Sequence, residues 1–435
     1  DTYKWFKIKF YCVRTLMLNL FKYGLFSFPA AISLLIMQIY IPSFIAEMGV
    51  FSLTTIGIIF FAARLIDMVS DLLVGYASDK TPPEYGRRRI WILIGTPIFI
   101  LIFYQLLAIP TTAWSLFFIT ALWYIAGTCM IVPYYTWGTE IETGYNAHTK
   151  YTGTRVIFGL IGTLCALILP TLLMPDAPLD EILNFNLIFI TFFFFMAIVL
   201  LIFLPDAGRV DAESTNLRDI ILIFKKGSPF NQLIISQLFN GIANALPATL
   251  FVFFTTYVLK RPDLAGPLLV FYFLAATISV PIWVKLTNIW PKERCWKIAM
   301  VTAAVTFLAV LLVDEKTISL FVVITIITGM MAGADLSIPA SMLADIIDDD
   351  ANKTGYRRPG IYFAVWGTTS KLTFAFAIVI AFSLLGMEIF EPSEENILVD
   401  TNWLIILYAL LPPIFKIVSV VLLSRYNLKP REVLQ

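Results

Sequence analysis

A succession of long apolar runs, separated by short polar breaks, limits how this chain can fold more than any other feature. Twelve runs can be traced, over residues 17–46, 52–77, 90–110, 113–141, 151–174, 183–204, 229–259, 264–288, 297–313, 317–347, 359–386 and 401–424. Each meets the roughly 17–25 residues that an α-helix needs to cross the hydrocarbon core of a bilayer. In lipid every backbone N–H and C=O must find a partner within the protein, so such runs read as spanning helices. Several are longer than the bilayer requires, which implies tilt or extension into water. Only 14% of the 435 residues are charged and 59% are hydrophobic. A soluble domain averages about 25% charged residues, so this chain has too little polar surface to coat a water-soluble globule. The expected class is an all-α membrane protein.

The polar breaks sort by charge. On one side they carry few basic residues: Lys260, Arg261 and Lys316. The other side carries Lys80, Arg87, Arg88, Arg89, Lys150, Arg209, Arg218, Lys225, Lys226, Lys292, Arg294 and Lys353, among others, along with both chain ends. The positive-inside rule makes that side cytoplasmic and places both termini there. The longest break between runs, PDAGRVDAESTNLRDIILIFKKGSP, has six runs before it and six after it. This divides the chain into an N-terminal six-helix bundle over residues 1–204, a cytoplasmic linker over 205–228, a C-terminal six-helix bundle over 229–424 and a cytoplasmic tail over 425–435. It is the plan of the major facilitator fold. The opening DTYKWFKIKFYCVR is basic and aromatic, without a cleavage-site pattern, and reads as an interfacial segment.

Several function classes lack their residues. Cys12, Cys129, Cys165 and Cys295 have no paired spacing, so neither a disulfide framework nor a thiolate metal site is expected. The single histidine, His148, lies in the polar stretch GYNAHTKY, read as a loop, and a zinc or haem site is not expected. No nucleophile–base pair marks an enzyme, and no repeated pore element or ring of charges marks a channel. The net charge of +1, with no basic domain, points away from nucleic acid.

The informative residues are charges inside the apolar runs, where each costs on the order of 2.5–3.5 kcal/mol to insert. In ARLIDMVSDLL, Arg64, Asp67 and Asp71 fall at i, i+3 and i+7 and share one helical face, with Ser70 beside it. Two carboxylates one turn apart suit a hard monovalent cation, or a proton, since like charges at close range raise one pKa. The plainer reading is a set of ion pairs with Arg64 and Lys371. Asp335, in GMMAGADLSIPASMLADIID, sits among small residues near Pro339, which suits a bent helix beside a cavity. It contacts a solute or relays a proton, or it partners a nearby base; both readings stay open. Lys371, beside Thr368, Thr369 and Ser370, is read as functional. Lys22 and Lys416 are read as snorkelling to the interface. Arg155 is either cavity-facing or interfacial. Trp123, Tyr124, Tyr134, Tyr135 and Trp137 either stack on a sugar ring or pack. Asp345, Asp348, Asp349 and Asp350, opposite Lys353, Arg357 and Arg358, are read as gate or loop salt bridges, as are Glu140 and Glu142.

Taken together, these stretches resemble the glycoside–pentoside–hexuronide:cation symporters, the melibiose-permease-like branch of the major facilitator superfamily. The resemblance is carried by ARLIDMVSDLLVGYASDKTPPEYGRRR, VPYYTWGTEI, TGTRVIFGLIG, FNGIANALPATL, GADLSIPASMLADIID and GIYFAVWGTTSKLTFAFA. It implies a major facilitator fold of 12 transmembrane helices and a secondary active transporter, not an enzyme. The transporter would couple a cation, Na+ or H+, to symport of a sugar or sugar-derived solute by alternating access. The coupling cation, the only metal implied, would sit on Asp67 and Asp71 with Ser70 and Thr128; Ser70 stands where the family has asparagine. Solute contacts would come from Lys371, Arg155, Tyr135, Asp335 and Trp366, and gating from Gly75, Asp79, Arg87, Arg88 and Asp345. The two acids that hold galactoside hydroxyls in the family are replaced by Ala31 and Ile131, which tilts the expectation toward an anionic solute such as a uronate or sulfonated sugar. The alternative is a lysolipid or other amphiphile, since vertebrate lysolipid symporters share the branch. No cofactor is implied. The expected partners are the solute, the cation and membrane lipid, around a monomer in the cell (inner) membrane, with no nucleic acid.

Overall fold

A computed structural model describes residues 14–37, 41, 45, 50–51, 53–82, 84, 86–107, 112–142, 145–173, 179–205, 228–355, 358–387, 401–426 and 428. The N-terminal interfacial stretch before residue 14, nearly all of the expected linker over 205–228, most of the expected tail and Arg357 lie outside the described residues.

Twelve long helices run through the described residues. In chain order they are α1 Arg14–Leu35, α2 Leu53–Lys80, α3 Arg89–Leu107, α4 Ala113–Glu140, α5 Tyr145–Leu173, α6 Leu179–Ile202, α7 Pro229–Phe253, α8 Ala265–Leu286, α9 Lys292–Leu308, α10 Ile318–Thr354, α11 Pro359–Met387 and α12 Thr401–Leu423. Over their described residues, ten of them, α1, α3–α10 and α12, are long and apolar enough to cross a membrane. α2 and α11 are 28 and 29 residues long, and they carry the charged and polar residues of interest.

The helix starts follow local chemistry. At α4, Thr112 and Ser115 form a reciprocal capping box. At α7, the Ser228 hydroxyl caps the Asn231 N–H, with Pro229 at the first helical position. Before α10, the Asp314 carboxylate accepts from the N–H groups of Lys316 and Thr317. These bonds hold its carboxyl below the usual range, led by the bond from the Thr317 hydroxyl.

Hydropathy and helix length part company at several ends. α5 begins at Tyr145, not 151, so the polar stretch around His148 is the first turns of a helix and not a loop. His148 is 1% exposed there, with Nε2 3.3 Å from the Asp348 carboxylate. α9 begins at Lys292, not 297. α10 runs past 347 to Thr354, with an Asp349–Lys353 pair of 2.6 Å on its last turns. Polar residues mark where a helix leaves lipid, not where it stops.

The chain divides into two compact units, Asp1–Thr215 with Ile347–Val365, and Asn216–Ile346 with Trp366–Gln435. In the first unit α2 and α3 both pack on α4, and α1 packs on α5. The α1–α5 contact needs Gly162, because a Cβ there would run into the Phe28 carbonyl. Aromatic rings fill its core: Phe26 against Tyr134 and Phe194, and Phe99 against Trp123. In the second unit α12 packs on α7 and α9, and Phe254 stacks on Tyr408 at 4.3 Å.

Candidate functional site

In the first unit the acids of α2 meet α4. Thr128 Oγ1 lies 2.9 Å from Asp67 Oδ1 and 2.8 Å from Asp71 Oδ1, and each aspartate is 2% exposed. A hydroxyl has a single proton to donate. It bonds one carboxylate at a time, and its lone pairs face the other. Three buried oxygens thus converge on a point that favours positive charge. Arg64 reaches the outer oxygen of Asp67 at 3.1 Å, but its side chain is 29% exposed and lies over the Tyr124 ring at 4.4 Å. The Ser70 hydroxyl donates to the Asp67 carbonyl at 2.8 Å, which leaves its oxygen lone pairs available beside the acids. Asp67, Asp71 and Thr128 are therefore brought together, with Ser70 adjacent.

A second cluster of the first unit gathers aromatic rings around a buried cation. The Arg155 guanidinium lies 3.8 Å from the centre of the Tyr135 ring, a cation–π geometry, and the residue is 7% exposed. Tyr23 and Tyr134 stack at 4.6 Å, and each hydroxyl donates to the other's carbonyl, at 3.3 and 2.8 Å. Ala31 and Ile131 are half-buried. On α11, in the second unit, Trp366 and Lys371 are half-buried.

Asp79 caps the start of α11. Its two oxygens accept from the backbone N–H of Gly360 at 3.0 Å and of Ile361 at 3.2 Å, where the helix dipole favours a carboxylate. Arg88 bonds Asp79 at 2.6 Å, and takes Glu140 through two N–H groups at 2.8 and 3.1 Å. Burial works against its charge, but Glu140 and then Asp79 outweigh that and raise its pKa. Arg87 donates to the Asp79 carbonyl at 2.7 Å. Gly75 faces the Gly360 carbonyl so closely that no Cβ fits. The expected gating set of Gly75, Asp79, Arg87 and Arg88 is thus one buried knot, joined by Glu140. Asp345 belongs to the second unit. Asp345 pairs with Lys292 at 2.6 Å, and Arg358 pairs with Asp350 at 3.1 Å.

In the second unit the structure replaces one reading. Lys416 does not snorkel: it is 4% exposed and bonds Asp335 Oδ2 and Asn240 Oδ1, each at 2.9 Å. Asp335 also accepts from Asn244 at 3.0 Å and from the Trp296 indole at 2.8 Å. The pair forms the polar end of a cavity of about 140 Å3, walled by rings such as Phe251, Tyr272 and Phe321. Lys416 is the residue that the sequence reading missed. Its position, well inside a helix of 23 residues, was the available signal, since a snorkelling lysine sits near a helix end.

Residues 22–430 match the family described as MFS/sugar transport protein. The chain belongs to this family. It is the melibiose-permease-like branch of the major facilitator superfamily, so the expected fold and family both hold. Similar proteins include the human sodium-dependent lysophosphatidylcholine symporter 1, 24% identical over 343 residues, covering 70% of this chain and 62% of that one. The chain thus spans less than two thirds of that relative's length. The inner membrane symporter YicJ of Escherichia coli (strain K12) is 23% identical over 385 residues, covering 85% of this chain and 83% of that one. Among solved structures, the E. coli fucose:proton symporter superposes with a TM-score of 0.72 at 11% identity, covering 96% of this chain and 99% of that one; this likeness speaks to fold alone.

Proposed function

We propose that this integral membrane protein is a secondary active transporter that couples a monovalent cation, Na+ or H+, to symport of a small solute by alternating access. The observation that carries the proposal is the single Thr128 hydroxyl set between two buried carboxylates. A cation or proton at Asp67 and Asp71 removes their mutual repulsion, and a ligand shifts a conformational equilibrium by its difference in affinity for the two states. Ser70 completes the oxygen set. Arg155 and Tyr135, with Lys371 and Trp366 on α11, are the groups assigned to the solute. A guanidinium and an ammonium favour a sugar-derived solute bearing an anionic group, such as a uronate. The buried knot of Gly75, Asp79, Arg87 and Arg88 holds α11 to α2 in one state of the cycle, with Asp345 as a further ion pair. The asymmetry of basic residues supports both termini facing the cytoplasm of a cell membrane, with bundles over 1–204 and 229–424.

A second reading follows from the human relative, whose name includes sodium dependence and a lysophospholipid: the solute is an amphiphile. The test is uptake into proteoliposomes of glucuronate, melibiose and lysophosphatidylcholine, each under an imposed sodium gradient and an imposed pH gradient. Uptake that follows one gradient and disappears in Asp67→Asn/Asp71→Asn is the expected result. Undiminished gradient-driven uptake by that double variant would sink the cation-site assignment.

A further inference from the structure

A cavity of the first unit is lined by none of the acids of α2. It is a groove of about 440 Å3 between α3 and α4. On α3 its walls are Ile90, Trp91, Ile94, Gly95, Ile98 and Ile102, and on α4 Leu122, Ile125, Ala126 and Cys129. The first set repeats at i, i+4, i+8 and i+12, and the second at i, i+3, i+4 and i+7, so each is one continuous helical face. The floor is the helix crossing itself, where a Cβ on Gly95 would stand 3.3 Å from that of Cys129. The rim is apolar and open: Ile94 is 55% exposed, Ile98 48% and Leu122 50%.

Two measures fix what fits. From Ile90 to Ile102, at about 1.5 Å per residue, the groove runs about 18 Å. Half of a hydrocarbon core of about 30 Å is about 15 Å. The groove is therefore one leaflet deep, and one end is at the membrane boundary, where α2 stops at Lys80 and α3 starts at Arg89. The α2–α3 break there carries Lys80, Arg87, Arg88 and Arg89 against Glu84. Thr81, which lines the groove, accepts from the Trp91 indole at 2.8 Å and so ties the mouth to the α2–α3 break. Arg88 is engaged by Asp79 and Glu140, and Arg89 reaches the Leu204 carbonyl. Lys80 is exposed, its ammonium 4.6 Å from the centre of the Tyr76 ring. A basic group at the interface attracts anionic lipid headgroups.

We propose that this groove is a binding site for one phospholipid of the adjoining leaflet. One acyl chain lies along the α3–α4 crossing, and an anionic headgroup meets Lys80. An apolar channel on a bilayer-facing surface is filled by hydrocarbon. The small floor residues and the cationic mouth make this channel selective for a particular lipid class. The lipid holds α3 against α4, and thus braces the helix that carries Thr128.

The test uses the full chain in vesicles of phosphatidylcholine and phosphatidylglycerol, doped with a phosphatidylglycerol whose acyl chain carries a diazirine. After photolysis, labelled peptides are mapped by mass spectrometry. The expected label is concentrated several-fold on residues 90–102 and 122–129, relative to Ile278 and Val421, which are also exposed apolar positions on spanning helices. Filling the groove with Ala126→Phe removes the enrichment, and Ala126→Ser retains it. Lys80→Gln removes the advantage of the phosphatidylglycerol probe over the matching phosphatidylcholine probe. Label in the wild-type protein no greater at the groove than at Ile278 and Val421 would mean ordinary boundary lipid only, and would overturn the site without recourse to any variant. An equal yield from the two probes would overturn the headgroup assignment.

Discussion

Replacing Lys416 by methionine is the perturbation whose cost can best be worked from the structure. Methionine keeps most of the side-chain volume and removes the ammonium. Asp335 would keep its bonds from Trp296 and Asn244 but lose its countercharge, and the Asn240 carbonyl would lose a donor. Both side chains of the pair are 5% exposed, so solvent screens the charge little. Removing one partner of a buried ion pair costs about 3–5 kcal/mol, because the remaining charge is stranded. Ordinary interhelical hydrogen bonds in membrane proteins average only about 0.6 kcal/mol, so the two cases are separable. At about 2–4 °C per kcal/mol for a unit of this size, the apparent melting temperature should fall by about 6–20 °C. Removing both charges in Lys416→Met/Asp335→Asn should bring the protein back to within about 1 kcal/mol of wild type, since replacing a whole buried pair is often neutral. The four proteins form a double-mutant cycle, read by thermal unfolding in detergent followed by near-UV circular dichroism. A loss below about 1 kcal/mol for the single variant, or simple additivity in the double, would refute the claim that the pair is a charged, desolvated staple.

Three further outcomes follow from the same geometry. Thr128→Val removes the hydroxyl shared by Asp67 and Asp71, and should weaken sodium binding by about tenfold, roughly the net value of a hydrogen bond to a charged group; it is read as a smaller stabilisation of the melting temperature by added sodium. Gly75→Val forces a Cβ into the Gly360 carbonyl, and should cost about 1–3 kcal/mol as overpacking, whereas Gly266→Ala, with nothing within 4 Å, should change the melting temperature little or raise it. Asp79→Asn keeps an oxygen for the α11 N–H groups but lacks the charge, and should cost about 1–2 kcal/mol through the helix terminus and Arg88 together; proteolysis at the 355–358 break should quicken in step with that loss.

The number and type of elements were legible because lipid leaves the backbone few choices. Apolar length alone locates α2, α4 and α11 to within a few residues. The misplaced ends are those where a helix continues through polar residues, as at Tyr145–Lys150 before α5 and at Asp348–Thr354 after α10. The acids of α2 were legible as one face because helical periodicity is local. Thr128 came from the resemblance, because nothing in its own span marks it. The Asp335–Lys416 pair was not legible as a pair: its members are 81 residues apart, and no local pattern encodes a contact at that separation. His148 was misread for a related reason, since a polar stretch in sequence can still be buried against a distant acid such as Asp348.

The buried acids differ in how they are satisfied, and that difference separates a site from a staple. Asp335 accepts from an ammonium, an amide and an indole, all at 2.8–3.0 Å, so further positive charge at that carboxylate would displace bonds already made. Asp79 is similar: two backbone N–H groups and an arginine reach it. Asp67 and Asp71 are arranged otherwise. They converge on one hydroxyl, which can give its proton to only one of them, and the nearest guanidinium reaches only the outer oxygen of Asp67 from a partly exposed position. A carboxylate with a full donor set gains little from a cation. Two carboxylates drawn to the same hydroxyl gain from a cation relief from each other's charge. On that ground we propose the exchangeable cation at Asp67 and Asp71. The burial of an acid in a membrane helix is therefore a weaker sign of ion binding than the approach of two acids to one shared hydroxyl.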